Sequence, residues 1–193
     1  TRGPCFRRGS GVAAGGAGAL AVVYLAARRR TGLELSRTGG GATLMRFCMV
    51  TTFYPPYHFG GDATYVRALS RALLARGHEV EVVHCEDAYR VVNRDERSLP
   101  AWVEEDDGIR VHRLRSRFGF LSPLVTQQTG RPGLKRRALR EILARHFDVV
   151  NFHNVSLIGG PGVLALSQAP VTLYTAHEHW LLCPTHIFWK NRG

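Results

Sequence analysis

Strand-like and helix-like segments alternate along the chain from residue 46 onward, and this alternation limits the fold more than any other feature. A short apolar run that ends in a turn-rich segment predicts a strand over 46–52, and further strands are predicted over 79–84, 108–115, 147–153 and 170–177. Amphipathic or basic patterns predict intervening helices over 62–76, 132–145 and 160–168. Strands that alternate with helices need crossover connections, so we predict an α/β fold: a Rossmann-like three-layer sandwich with a mostly parallel sheet.

The first 44 residues differ in composition from the rest of the chain. They hold ten of the 21 glycines, and seven arginines against a single acidic residue. We therefore expect residues 1–44 to be disordered or outside the native domain, and residues 45–193 to form the folded domain, truncated at its C-terminal end. The stretch 9–27 has the outline of a membrane anchor, which its five glycines weaken. An anchor and untranslated upstream sequence both remain alternatives for this segment.

Charge and cysteine usage narrow the class of protein. The formal net charge is +11, of which residues 1–44 carry +6 and the remainder +5. The folded part is thus only moderately basic, and we expect no nucleic-acid partner. The four cysteines lie far apart without a C-x-x-C pair, which predicts reduced thiols in a cytoplasmic protein.

Three loops that follow predicted strands carry histidine: FYPPYHFGGD at 53–62, HNVS at 153–156 and HEHWLLCPTH at 177–186. In open parallel sheets, ligands bind beyond the carboxyl ends of the strands, so these loops are the candidate site. Gly60 and Gly61 stand where a helix begins, and its free N–H groups favour a phosphate. A tight turn is the alternative reading of this pair. The signatures G-x-G-x-x-G and G-K-[ST] are absent, which disfavours hydride transfer and ATP hydrolysis.

The third loop also holds a set of residues that zinc accepts as ligands: His177, His179, Cys183 and His186. Their spacing is looser than that of a structural zinc site, so we predict no metal. It stays open whether Cys183 belongs to a metal site whose other ligands lie beyond Gly193.

These motifs resemble family-4 glycosyltransferases of the GT-B fold. The run FYPPYHFGGDATYVRALSRALLARGHEVEVV, then DVVNFHN, then VTLYTAHEHWLLCP, are similar to the N-terminal, acceptor-side domain of those enzymes from Met45 to Gly193. The resemblance implies transfer of a sugar from a nucleotide-sugar donor to an acceptor, with retention of anomeric configuration and no required cofactor or metal. It also implies a second Rossmann-like domain that holds most of the nucleotide, so this fragment alone is expected to be inactive.

The resemblance further implies roles for individual residues. Gly60 and Gly61 would lie beside the donor phosphates, and His177 would act at the reaction centre with Glu178, where aspartate is commoner in the family. The residues expected to line the cleft or bind the acceptor are His153, Asn154 and His58. The acceptor itself is open: a glycan, a lipid-linked molecule or a small molecule.

Two other functions remain as alternatives to sugar transfer. One is a noncatalytic ligand- or membrane-surface-binding module, and the other is a sugar-nucleotide epimerase of the GT-B fold. The basic helix predicted over 132–145 has the pattern of a helix on an anionic membrane surface, so peripheral contact at the inner face of the membrane is also predicted.

Overall fold

The structure, a computed structural model, describes residues 22–26, 43–93 and 104–177. The strands in these ranges are β1 Val22–Ala26, β2 Arg46–Val50, β3 Glu79–Cys85, β4 Glu105–Asp106, β5 Ile109–Leu114, β6 Val149–Phe152 and β7 Val171–Ala176. The helices are α1 Gly61–Leu74, α2 Glu86–Val92, α3 Leu121–Thr129 and α4 Arg136–Leu143, with 3-10 turns at Gly133–Lys135 and Pro161–Leu166.

All seven strands join one sheet, in the order β1-β7-β6-β2-β3-β5-β4. The five inner strands pair in parallel, and the two edge strands, β1 and β4, pair antiparallel to their neighbours. The predicted α/β class and mostly parallel sheet are therefore confirmed.

Alternate residues of the inner strands face two separate cores. Cys48 and Val50 of β2 belong to a core cluster beneath α4, while Met49 belongs to a cluster beneath α1. Because successive strand residues point to opposite faces, one strand can serve both layers only if nearly every residue is apolar. This is why β2 has the continuous apolar sequence FCMV.

The strand order also fixes where a cleft must lie. The chain runs from β2 outward to β3 and β5, then returns to the other side of β2 as β6 and β7. The connections from β2 and β6 therefore leave in opposite directions, and a crevice opens beyond the paired ends at Val50 and Phe152.

Helix α1 ends before Gly77, the predicted C-terminal glycine, but its last helical residue is Leu74 and not the predicted residue 76. Gly77 has φ +85°, and the N–H of His78 donates to the carbonyl of Leu73 at 3.2 Å. A left-handed residue at this place reverses the chain and satisfies the last carbonyls, which favours glycine.

Four elements were not anticipated: the short strand β4, together with β1, α2 and α3. Strand β1 lies within residues 1–44, which we expected to be disordered or outside the domain; VVYLA is rich in residues that favour strands. The division at Met45 otherwise remains a prediction. Helix α2 has only seven residues, and α3, LSPLVTQQT, has few strong helix formers and leaves apolar side chains exposed.

Within the described ranges, no helix is long and apolar enough to cross a membrane.

Candidate functional site

The aromatic residues of the loop between β2 and α1, residues 51–60, serve mainly to hold that loop in place. Tyr54 and Tyr57 are buried and form an isolated β-bridge. The Tyr57 ring stacks on His84 at 5.8 Å, and the Phe59 ring stacks on Tyr89 at 4.7 Å. These contacts attach the loop to β3 and α2, so most of its unusual composition is explained by packing.

A buried carboxylate ties the same loop to α1. The hydroxyl of Tyr54 donates to Asp106 Oδ2 at 2.9 Å, and Arg67 donates to both Asp106 oxygens at 2.5 Å. The bonds from Arg67 are the main cause that lowers the pKa of the Asp106 carboxyl. Arg67, which the helical pattern placed on an outward face, thus links α1 to β4. The network sets the direction in which the N-terminus of α1 points.

Gly60 and Gly61 occupy that N-terminus. Gly60 has φ +76°, a conformation that residues with a side chain rarely adopt. A Cβ added at Gly61 would meet no atom within 4 Å, so space is open in front of the helix. Gly60 offers no side-chain cap to the first turn. Asp62 Oδ1 already accepts from the N–H of Ala63 at 2.8 Å. An anion at this position would therefore meet the remaining first-turn N–H groups and the positive end of the helix dipole, with the Asp62 carboxylate beside it.

The ends of β6 and β7 bring two predicted site residues together. Nδ1 of His153, which directly follows β6, lies 3.0 Å from Nε2 of His177, which directly follows β7. Tyr65 of α1 makes edge-to-face contacts with both rings, at 5.2 Å from His177 and 6.1 Å from His153. We call His153, His177 and Tyr65 the histidine cluster.

The environment of His153 keeps its ring neutral. The residue is fully buried, and burial, followed by the neighbouring His177, lowers its pKa to about 3. Its Nε2 is buried and has no hydrogen-bond partner in the described part of the chain. Because an unpaired buried N–H is rarer than an unpaired acceptor, we assign the proton of His153 to Nδ1. Nδ1–H then donates to Nε2 of His177.

Asn154 connects the end of β6 to both neighbouring loops. Its carbonyl accepts from the N–H of Thr52 at 2.6 Å, and its side-chain oxygen accepts from the hydroxyl of Ser156 at 2.7 Å. Its amide nitrogen donates to Asp62 of α1 at 3.4 Å. Asn154 therefore lies in the cleft region, with its polar groups used to hold the cleft together.

The remaining predicted residues are not part of the cluster. His58 is half-buried in the loop before α1 and makes no hydrogen bond or ring contact with His153 or His177 in the described ranges. Glu178 lies outside the described residues, as do three of the four possible zinc ligands. Among described residues, no group of three or more His, Cys, Asp or Glu could hold a metal ion.

Sequence reasoning missed Tyr65 and Asp62. Both had a detectable signal, since they lie four and one residues after Gly61 in the run GGDATY. A residue four positions along a helix shares the face of its first residue, which brings Tyr65 above the open N-terminus.

A family comparison agrees with this geometry. Residues 59–192, more than half of the chain, match the model described as Glycosyltransferase Family 4. The chain belongs to glycosyltransferase family 4. The region matched to this family includes both glycines, the whole histidine cluster and Asn154. A search of curated proteins found no significant match to this family-4 chain.

The buried histidines predict a specific pH dependence of stability. Burial lowers the pKa of His84, like that of His153, from 6.5 to about 3. Below pH 6.5 these histidines bind a proton in the unfolded chain but not in the folded chain. The free energy of unfolding therefore decreases by about 1.4 kcal/mol for each histidine and each pH unit by which the pH is lowered. Chemical denaturation between pH 7 and pH 5 measures this slope.

Matched variants identify the groups responsible for that slope. His153→Phe and His84→Phe are each expected to reduce it by about half, while His146→Ala, at an exposed position, should leave it unchanged. A wild-type chain that is equally stable at pH 7 and pH 5 contradicts the prediction.

Proposed function

We propose that this family-4 chain takes part in the transfer of a sugar from a nucleotide-sugar donor to an acceptor, with retention of anomeric configuration. The observation that carries the proposal is that the open helix start at Gly61 and the histidine cluster meet at the crevice between β2 and β6. A donor has two ends to recognise: an anionic diphosphate and a neutral sugar. The helix start suits the first, and the buried, neutral His153 with His177 beside it suits the second.

The chemistry explains why this pairing is useful. When the bond from the sugar to the diphosphate breaks, negative charge develops on the leaving phosphate and positive charge on the sugar. Preorganised N–H groups at a helix start stabilise the phosphate charge as it develops. A neutral imidazole at His177 can hold a sugar hydroxyl without placing a cation beside the sugar. His153 supports this role because it donates to His177 while remaining neutral itself.

In this proposal, Gly60 and Gly61 bind the donor phosphates, and His177 acts at the reaction centre with Glu178 beside it. Asn154 holds the cleft, and His58 lies on its acceptor side. A second Rossmann-like domain holds the nucleotide. No metal ion or further cofactor is required.

The proposal is tested with the enzyme that includes the nucleotide-binding domain. A panel of sugar nucleotides and acceptors is supplied, and the anomeric configuration of the product is read by NMR. We expect transfer with retention, and no turnover by the 193-residue chain alone. Inversion, or turnover by that chain alone, overturns the proposal. Conversion of the donor sugar without any acceptor favours an epimerase, and the absence of turnover with every donor favours a noncatalytic module.

Gly61 offers a test of donor binding that leaves the fold unchanged. A Cβ added there meets no protein atom within 4 Å, so a side chain at Gly61 begins in the space that the phosphates would use. We expect Gly61→Val to raise the donor KM about tenfold or more, equivalent to roughly 1.4 kcal/mol of binding. Gly61→Ala should have a smaller effect in the same direction.

Ala68→Val, at an exposed position farther along the same helix, is the matched control and should leave KM unchanged. If Gly61→Val has the donor KM of the control variant, the phosphates do not bind at this helix start.

A further inference from the structure

One segment has a charge pattern that sugar transfer does not explain. Residues 108–140 contain nine Lys or Arg and not one Asp or Glu. Two of these cations are used internally, since Arg113 pairs with Glu86 and Lys135 is buried against Asp87. The other seven are exposed: Arg110, Arg115, Arg117, Arg131, Arg136, Arg137 and Arg140.

The same segment exposes an unusual amount of apolar surface. Of the eleven large hydrophobic residues exposed in the described ranges, six lie between positions 118 and 134: Phe118, Phe120, Leu121, Leu124, Val125 and Leu134. Phe120 is the most exposed, at 65%. The apolar face of α4 is instead buried through Leu139, Ile142 and Leu143. The predicted basic helix therefore cannot insert its own apolar face into a membrane, whereas α3 and the loop before it can.

The apolar and basic parts are continuous. The turn after α3 packs against α3 itself, since a Cβ added at Gly133 would lie only 3.0 Å from Val125 Cγ1. Gly133 also lines a cavity of about 700 Å³ between α4 and the 3-10 turn Pro161–Leu166. Three arginines, Arg131, Arg136 and Arg140, line this cavity, and no Asp or Glu is among the described residues that line it.

We propose that Phe118–Leu134 and the arginine cavity form a docking surface for a membrane that carries anionic phospholipid. Exposed Phe and Leu side chains enter the interfacial region of the bilayer, while guanidinium groups bind the headgroup phosphates. The complementary charge selects anionic lipid over a neutral surface. Because this surface follows the carboxyl end of β5, it lies at the same edge of the sheet as the histidine cluster. The proposal does not depend on sugar transfer.

Co-sedimentation of the 193-residue chain with vesicles tests it without any enzyme assay. One set of vesicles contains phosphatidylcholine only, and the other contains equal parts of phosphatidylcholine and phosphatidylglycerol. We expect binding to the anionic vesicles to be at least about tenfold stronger, and to weaken strongly near 1 M salt, where electrostatic attraction reaches only about 3 Å. The salt dependence is measured on the wild-type chain and needs no variant.

Two double variants separate the apolar and the basic contributions. Phe120→Ser with Leu124→Ser, and Arg136→Glu with Arg140→Glu, should each lower the partition coefficient about tenfold or more. The matched controls are Leu44→Ser and Arg76→Glu, which change exposed residues away from this surface and should bind like wild type. Thermal unfolding of each variant verifies that it is folded.

Several results would overturn the proposal. If the chain binds both vesicle types equally, the surface does not select anionic lipid. If the two double variants bind like wild type, the membrane does not dock at Phe118–Leu134 and the arginine cavity. The chain could also fail to bind vesicles and instead form a dimer that the double variant Phe120→Ser with Leu124→Ser dissociates. In that case the exposed apolar residues of Phe118–Leu134 bind a second copy of the chain.

Discussion

Replacing His177 with alanine, in the enzyme that includes the nucleotide-binding domain, is expected to lower kcat about a hundredfold or more and to leave the donor KM nearly unchanged. His177 follows β7 at the sheet edge where the crevice opens, and it contacts His153 and Tyr65. Nucleotide affinity is proposed to come from the other domain. An interaction made mainly in the transition state lowers kcat and kcat/KM together.

Steady-state kinetics on His177→Ala and on His146→Ala decide the matter. His146 is an exposed histidine at the opposite edge of the sheet, where its carbonyl accepts from Arg46, and its variant should behave like wild type. A near-normal kcat for His177→Ala, or a rise in donor KM alone, shows that His177 does not act at the reaction centre.

Replacing Lys135 with methionine is expected to lower the free energy of unfolding by about 3 kcal/mol. Lys135 is 3% exposed and donates to the hydroxyl of Ser122, with its ammonium 4.0 Å from Asp87. Asp87 is fully buried, and burial raises the pKa of its carboxyl. In the variant the Asp87 carboxylate stays buried but no longer has a cation beside it. This costs more stability than the loss of an ion pair at the surface.

The pH dependence of this loss identifies its cause. Because burial raises the folded pKa of Asp87, acid protonates this carboxyl in the folded chain before the unfolded one. The difference between Lys135→Met and wild type should therefore shrink as the pH falls. Adding Asp87→Asn to Lys135→Met should restore most of the stability at pH 7.

Chemical denaturation of both variants, with Arg137→Met as the control at an exposed ion pair, measures these effects. A Lys135→Met chain as stable as the control contradicts the prediction, and so does a double variant that gains nothing.

The inner strands and α1 could be predicted from sequence because their signals are local. Short, mostly apolar runs mark β2 and β6, and helical spacing followed by Gly77 marks α1. The meeting of Gly61, His153 and His177 at one sheet edge followed from the general rule for parallel sheets, without knowledge of any contact.

The tertiary structure decided what depends on residues far apart in the chain. Arg67 and Asp106 are 39 positions apart, and His153 and His177 are 24 apart, so no local pattern indicates that they touch. Only the tertiary structure shows that the apolar residues of α3 face outward and that the core covers the apolar face of α4. Composition and periodicity indicated the inner strands, α1 and the sheet edge at which a ligand is expected to bind. Packing alone determined that His153 is neutral and held against His177, because only burial and proximity change the pKa of a side chain.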